Sequence, residues 1–179
     1  MAKNKKPRKK YRPKVAHCTV FTEKDKADYF EMLDMCEYRI RNAFPIGNAT
    51  GENLEETRRI MNAALAGLEG RDYLTKSEAD AAKEAIYEGA QSLYNALDRY
   101  NQGKSDRFIF TGDELKLLAF GYVNASNFIK SSMEREPQRT MKEYFAARVI
   151  DRRGVFPVTP KMINAVVDSF ACKPLLEWR

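Results

Sequence analysis

The sequence predicts an all-α fold: a single-domain helical bundle of about six helices behind a flexible basic N-terminal arm. Three observations lead there. Thr22, Thr75 and Thr111 are each followed three residues later by a carboxylate: Asp25, Glu78 and Glu114. This is the capping-box pattern, in which the hydroxyl and the carboxylate satisfy two free N–H groups at a helix start. Behind each cap, apolar residues recur three and four apart, the period of one helical face. Strand-like stretches are limited to 15–21 and 108–110, which read as connectors that lay aromatic side chains on the bundle.

The first helix is expected over about 23–44, with Tyr29, Leu33, Cys36, Ile40 and Ala43 on its inner face. Pro45, Gly47 and Gly51 then make a loop. The second, over about 52–69, carries Thr57, Met61, Leu65 and Leu68 on one stripe and ends at Gly67 or Gly70. The third places Ala79, Ala82, Ile86, Ala90, Leu93, Leu97 and Tyr100 on one face and closes at Gly103. Its alanines permit close approach by a neighbouring helix.

The fourth helix starts at Thr111, where Phe110 and Leu115 have the spacing of a hydrophobic staple. Leu115, Leu118, Tyr122, Ser126, Ile129 and Met133 line one face. Leu117, Phe120, Gly121 and Phe128 add a second, a width that predicts a helix buried between others. Pro137 breaks this helix, and a fifth follows over about 138–152 with Tyr144 and Phe145 in the core. A sixth opens with Thr159 as cap, Pro160 in its first turn and a Val158–Ile163 staple, its stripe continued by Val166, Val167 and Phe170. Beyond Pro174, residues Leu175, Leu176 and Trp178 form an apolar hook.

Charge is distributed very unevenly. Lys3, Lys5, Lys6, Arg8, Lys9, Lys10, Arg12 and Lys14 supply eight of the 31 basic residues within the first fourteen positions, with no acidic residue among them. The other 23 basic residues face 25 acidic ones, leaving a body of net charge −2. The natural division is a basic arm over 1–14 and a helical domain over 15–179. Pro7 and Pro13 deny the arm a regular helix. Its cations suit contact with phosphates by counterion release, and Tyr11 among them suits stacking on a base. An acidic protein surface and a merely solubilising tail fit the same composition. In a nucleated cell, KKPRKK also has the make-up of an import signal.

Other candidate chemistry is sparse. His17 and Cys18 adjoin, but neighbours in an extended segment point to opposite sides. Cys18, Cys36 and Cys172 are far apart, and with one histidine they form no local zinc pattern, so reduced thiols are expected. Asp25, Asp28, Glu31 and Asp34 recur along the first helix, a row that reads as a solvated acidic face. Arg148, Arg152 and Arg153 near the end of the fifth helix suit either phosphate or the helix dipole. Gln138, Arg139 and Lys142 after Pro137 would supply the start of a recognition helix, although the turn departs from the helix-turn-helix pattern. No cofactor is expected. No apolar run approaches the ~18 residues that cross a bilayer, and no secretory signal is recognisable, which leads us to expect a cytoplasmic protein.

The Lys/Arg-Pro-rich start with its Tyr11-Arg12-Pro13 step, and the helix start Phe110-Thr111-Gly112-Asp113-Glu114-Leu115, resemble those of a loose group of small phage and prophage proteins. The likeness is confined to these two short stretches, and the second also has the capping explanation above. The resemblance implies a bacterial host cytosol and an accessory, host-interacting role. The expected function is non-enzymatic: binding a host or phage macromolecule, such as a defence or nucleic-acid complex. The expected contacts are Lys5, Lys6, Arg8, Lys9, Lys10, Tyr11, Arg12, Lys14, Arg139, Lys142, Arg148, Arg152 and Arg153. The alternative is a DNA- or RNA-binding regulator that grips the backbone with the arm and the fifth helix.

Overall fold

A computed structural model describes residues 22–68 and 71–151, together with Lys161, Met162 and Ala165. Five α-helices fill this region: α1 (Glu23–Asn42), α2 (Gly51–Gly67), α3 (Lys76–Asn101), α4 (Gly112–Arg135) and α5 (Pro137–Asp151), with a 3₁₀ turn over Phe44–Ile46. No strand occurs among the described residues. Lys161, Met162 and Ala165 are helical, within the predicted sixth helix, whose cap Thr159 lies outside the described residues.

All three predicted capping boxes form. In each, the Thr side chain accepts from the backbone N–H of the carboxylate residue, and that carboxylate accepts from the Thr N–H. At α4 the two distances are 3.2 Å and 2.8 Å. Thr50 caps α2 in the simpler way, accepting from Asn53 N–H at 3.2 Å. Gly47 and Gly103 adopt φ of +74° and +65° after the 3₁₀ turn and after α3, where a side chain would strain the backbone. Helix α1 stops two residues earlier than expected because the chain tightens into the 3₁₀ turn carrying Pro45.

The predicted inner faces of α1 and α2 are buried: Tyr29, Leu33, Cys36 and Ile40, then Thr57, Met61, Leu65 and Leu68. Connector 108–110 behaves as expected, with Phe110 buried and stacked on Phe44 at 5.3 Å between ring centres. Helix α1 runs antiparallel to α4. Lys26 pairs with Glu134 at 2.7 Å, Lys130 with Asp34 at 2.5 Å, and the buried Tyr122 hydroxyl donates to Leu33 O at 2.9 Å.

Two expectations are corrected. Helix α4 is not enclosed on its second face: Gly121 and Phe128 are buried, but Leu117 is 40% and Phe120 61% exposed. The enclosed helix is α2, in which every residue from Ile60 to Gly67 is buried. Its run of small residues lets neighbours close around it, and width of hydrophobicity was the wrong signal for that. Similarly, Tyr100 ends the α3 stripe in solvent at 42% exposure, tilted against Phe108.

Helices α3 and α4 meet along Gly89 and Gly121. A methyl group built on Gly121 would lie 2.5 Å from Ala85 O and 3.1 Å from Gly89 Cα. One built on Gly89 would lie 3.0 Å from Leu117 O. Backbone thus packs on backbone at this crossing, and only glycine fits on both sides.

Candidate partner-binding site

The anticipated contact residues fall into three groups. Lys5, Lys6, Arg8, Lys9, Lys10, Tyr11, Arg12 and Lys14 lie outside the described residues, as do Arg152, Arg153, His17 and Cys18. Arg148 belongs to the last turn of α5, its side chain outside the described set. Arg139 and Lys142, in the first two turns of α5, are fully described.

Pro137 opens α5 directly after α4, with Glu136 alone between them at φ −137° and ψ 60°. A helix-turn-helix unit needs a turn of about three to four residues, so this joint is not one. Pro137 has no N–H to donate, and Thr140 turns its hydroxyl back to Glu136 O at 3.0 Å. The close joint brings Glu136 and Glu143 to the end of α2, where Arg71 sits.

Arg71 is the centre of the ionic cluster. Its side chain is fully buried. Nε donates to Gly67 O at 2.9 Å, one terminal nitrogen donates to Glu136 and the other to Glu143. The guanidinium also lies over the Phe128 ring, 5.8 Å from its centre. Glu143 takes a second cation on its other oxygen, Arg139 Nε at 3.0 Å, and Arg139 also pairs with Glu136 at 3.5 Å. Burial pushes the Glu143 carboxyl above its ordinary range, against the opposing pull of Arg71 and Arg139. The chemistry of this arrangement is mutual neutralisation. It fastens the end of α2 to α5.

Arg139 is therefore spent largely on the protein's own carboxylates. Lys142, one turn along, is exposed and takes no part in the described ion pairs. Sequence reasoning passed over Arg71 because an Arg beside Gly70 and Asp72 has the make-up of a solvated turn. Its burial is visible only once α2 and α5 are brought together.

The acidic row of α1 is also drawn apart. Asp25 serves the Thr22 cap and Asp34 the ion pair with Lys130, while Asp28 and Glu31 stand exposed. Among the described residues, no three His, Cys, Asp or Glu side chains converge as metal ligands. Cys36 is buried, and burial raises its thiol above the ordinary range, which keeps it protonated and unreactive. No helix in the described region is long and apolar enough to cross a membrane.

No protein-family model matches the chain, and no curated protein or solved structure is detectably similar to it.

Proposed function

We propose that this protein acts by binding, without catalysis: it presents its helical body to a host or phage macromolecule and uses the arm for electrostatic contact with an anionic surface. One observation supports this above the rest, the segregation of charge. Residues 22–151 hold 18 Lys and Arg against 23 Asp and Glu, whereas the first fourteen residues hold eight cations and no acid. Many of the body's cations are already matched internally, among them Arg71, Arg99, Arg59, Arg41, Lys26 and Lys130. The arm is thus the concentrated source of uncompensated positive charge, and a field of that kind steers an anionic partner. The regulator reading, in which α5 joins the arm on phosphate, draws less support because Arg139 is engaged with Glu143 and Glu136.

The test is a salt titration of binding to duplex DNA, single-stranded RNA and an acidic peptide, using the full chain and a chain lacking residues 1–14. On duplex DNA, every phosphate the arm neutralises steepens the fall of log K with log salt by about 0.9, and the shortened chain should lack that increment. Equal affinity and slope for both chains on every probe would refute the role of the arm. Affinity capture from a bacterial lysate, with and without nuclease, then separates the readings: a partner retained only without nuclease favours the regulator.

A further inference from the structure

We infer that the outer face of the α3–α4 crossing, centred on Leu117 and Phe120, is a contact between two copies of this chain. The face follows from how the two helices meet. Gly89 and Gly121 bring backbone onto backbone, with Gly121 against Ala85 O and Gly89 against Leu117 O. Helices this close leave no furrow between them into which a side chain could sink. Ile86 and Ala90, one step beyond Ala85 and Gly89, are buried in the core, as are Leu118 and Tyr122, one step beyond Leu117 and Gly121. A step of about 100° the other way puts Glu84 and Glu88 of α3, and Lys116 and Phe120 of α4, on the outside. All four are exposed, Phe120 at 61%, with Leu117 beside it at 40%.

The charges around this apolar centre identify what covers it. On the α3 side, Glu84 and Glu88 pair with no cation among the described residues. On the α4 side, Lys116 holds only Asp113, at 3.0 Å, with the two side chains 80% and 88% exposed. So open a pair contributes little and releases its lysine readily. A partner surface of one sign would be repelled by one side of this face or the other. A second copy presents both signs. With a two-fold axis between Glu88 and Lys116, Leu117 and Phe120 pack on their own counterparts, and each Lys116 meets the other copy's Glu88. This is the self-complementary contact of an isologous dimer.

The test is sedimentation velocity of the full chain over a concentration series. The parent should dimerise reversibly. Phe120→Asp should raise the dimer dissociation constant by about thirtyfold or more, since a central aromatic carries much of the binding. The variant's circular dichroism should match the parent's, because Phe120 is exposed. Lys116→Glu and Glu88→Lys should each weaken the dimer by about tenfold, through two like-charged contacts per dimer, and the double variant should return to within about threefold of the parent. Should Phe120→Asp disturb the fold, this charge exchange on exposed side chains decides the matter. A parent that stays monomeric up to about 100 µM overturns the assignment and leaves the face to a different partner. So does a dimer indifferent to Phe120→Asp, or a double variant no tighter than either single one.

Discussion

Gly121→Ala sets two opposing effects against each other, and the structure decides which prevails. In a helix interior, alanine is favoured over glycine by about 1 kcal/mol, so propensity alone predicts a more stable protein. The added methyl, however, would meet Ala85 O at 2.5 Å and Gly89 Cα at 3.1 Å. Both are backbone atoms of a packed helix, so no side chain can swing aside. Ordinary van der Waals separation begins near 3.4 Å, and α3 and α4 must part by about 1 Å to reach it. Overpacking of this kind costs about 1–3 kcal/mol, and a backbone-to-backbone clash belongs at the upper end. The net expectation is a loss of about 2 kcal/mol after subtracting the propensity gain. Urea unfolding followed by circular dichroism measures this directly; at a slope of about 2 kcal/mol per molar, the midpoint falls by about 1 M. Gly112→Ala is the control. It sits at the first position of α4 with nothing within 4 Å of the added methyl, and its midpoint should hold or rise. A midpoint for Gly121→Ala equal to or above that of the parent would refute the argument for a glycine-dependent crossing.

Three other polar groups give checks of the same kind. The Arg99 guanidinium, hydrogen-bonded to Glu114 at 2.6 and 2.9 Å, holds that carboxyl down to about 2 from an ordinary 4.5. A depressed folded value means stability that is complete above pH 4.5 and lost as pH falls toward 2. The gap between the parent and Glu114→Gln should be about 2 kcal/mol at neutral pH, screening at the partly exposed Arg99 included. It should close across that acid window, and a gap independent of pH would count against the pairing. Arg71→Met leaves the buried Glu143 and its neighbour Glu136 to share the one half-exposed cation Arg139 and should cost about 3 kcal/mol, most of it recovered when Glu143→Leu is added. A double variant no more stable than the single one would show that the cluster is not self-neutralising. Asn62→Leu replaces an unsatisfied buried amide with an apolar group of similar size and should raise stability by about 1–2 kcal/mol, read as a higher urea midpoint. A lower midpoint would mean that Asn62 has a partner.

The candidate site was less legible in the sequence than the fold. Arg139 and Lys142 were recognisable as cations at the start of a helix. Arg139 pairs with Glu143 one turn along its own helix, but that Glu143 is buried against Arg71, about seventy residues away in sequence, is decided by the packing of the helices. Leu117 and Phe120 read as a second buried face because periodicity reports that residues share a side of a helix. It does not report whether another helix covers that side.

Local rules by themselves determined several of the helix boundaries of this protein. Thr22, Thr75 and Thr111 with their partner carboxylates set three starts, Gly103 and Pro137 set two boundaries, and the inner faces of α1 and α2 follow from spacing. Each of these interactions joins residues within one or two helical turns, so no knowledge of the remainder of the chain is needed. Only the tertiary structure decided that α2 is the enclosed helix, that Gly89 and Gly121 form the α3–α4 crossing, and that Arg71 is buried between two glutamates. Those outcomes depend on which surfaces meet across long separations in sequence. Burial and the pairing of charge belong to the assembled bundle, not to any one segment of it.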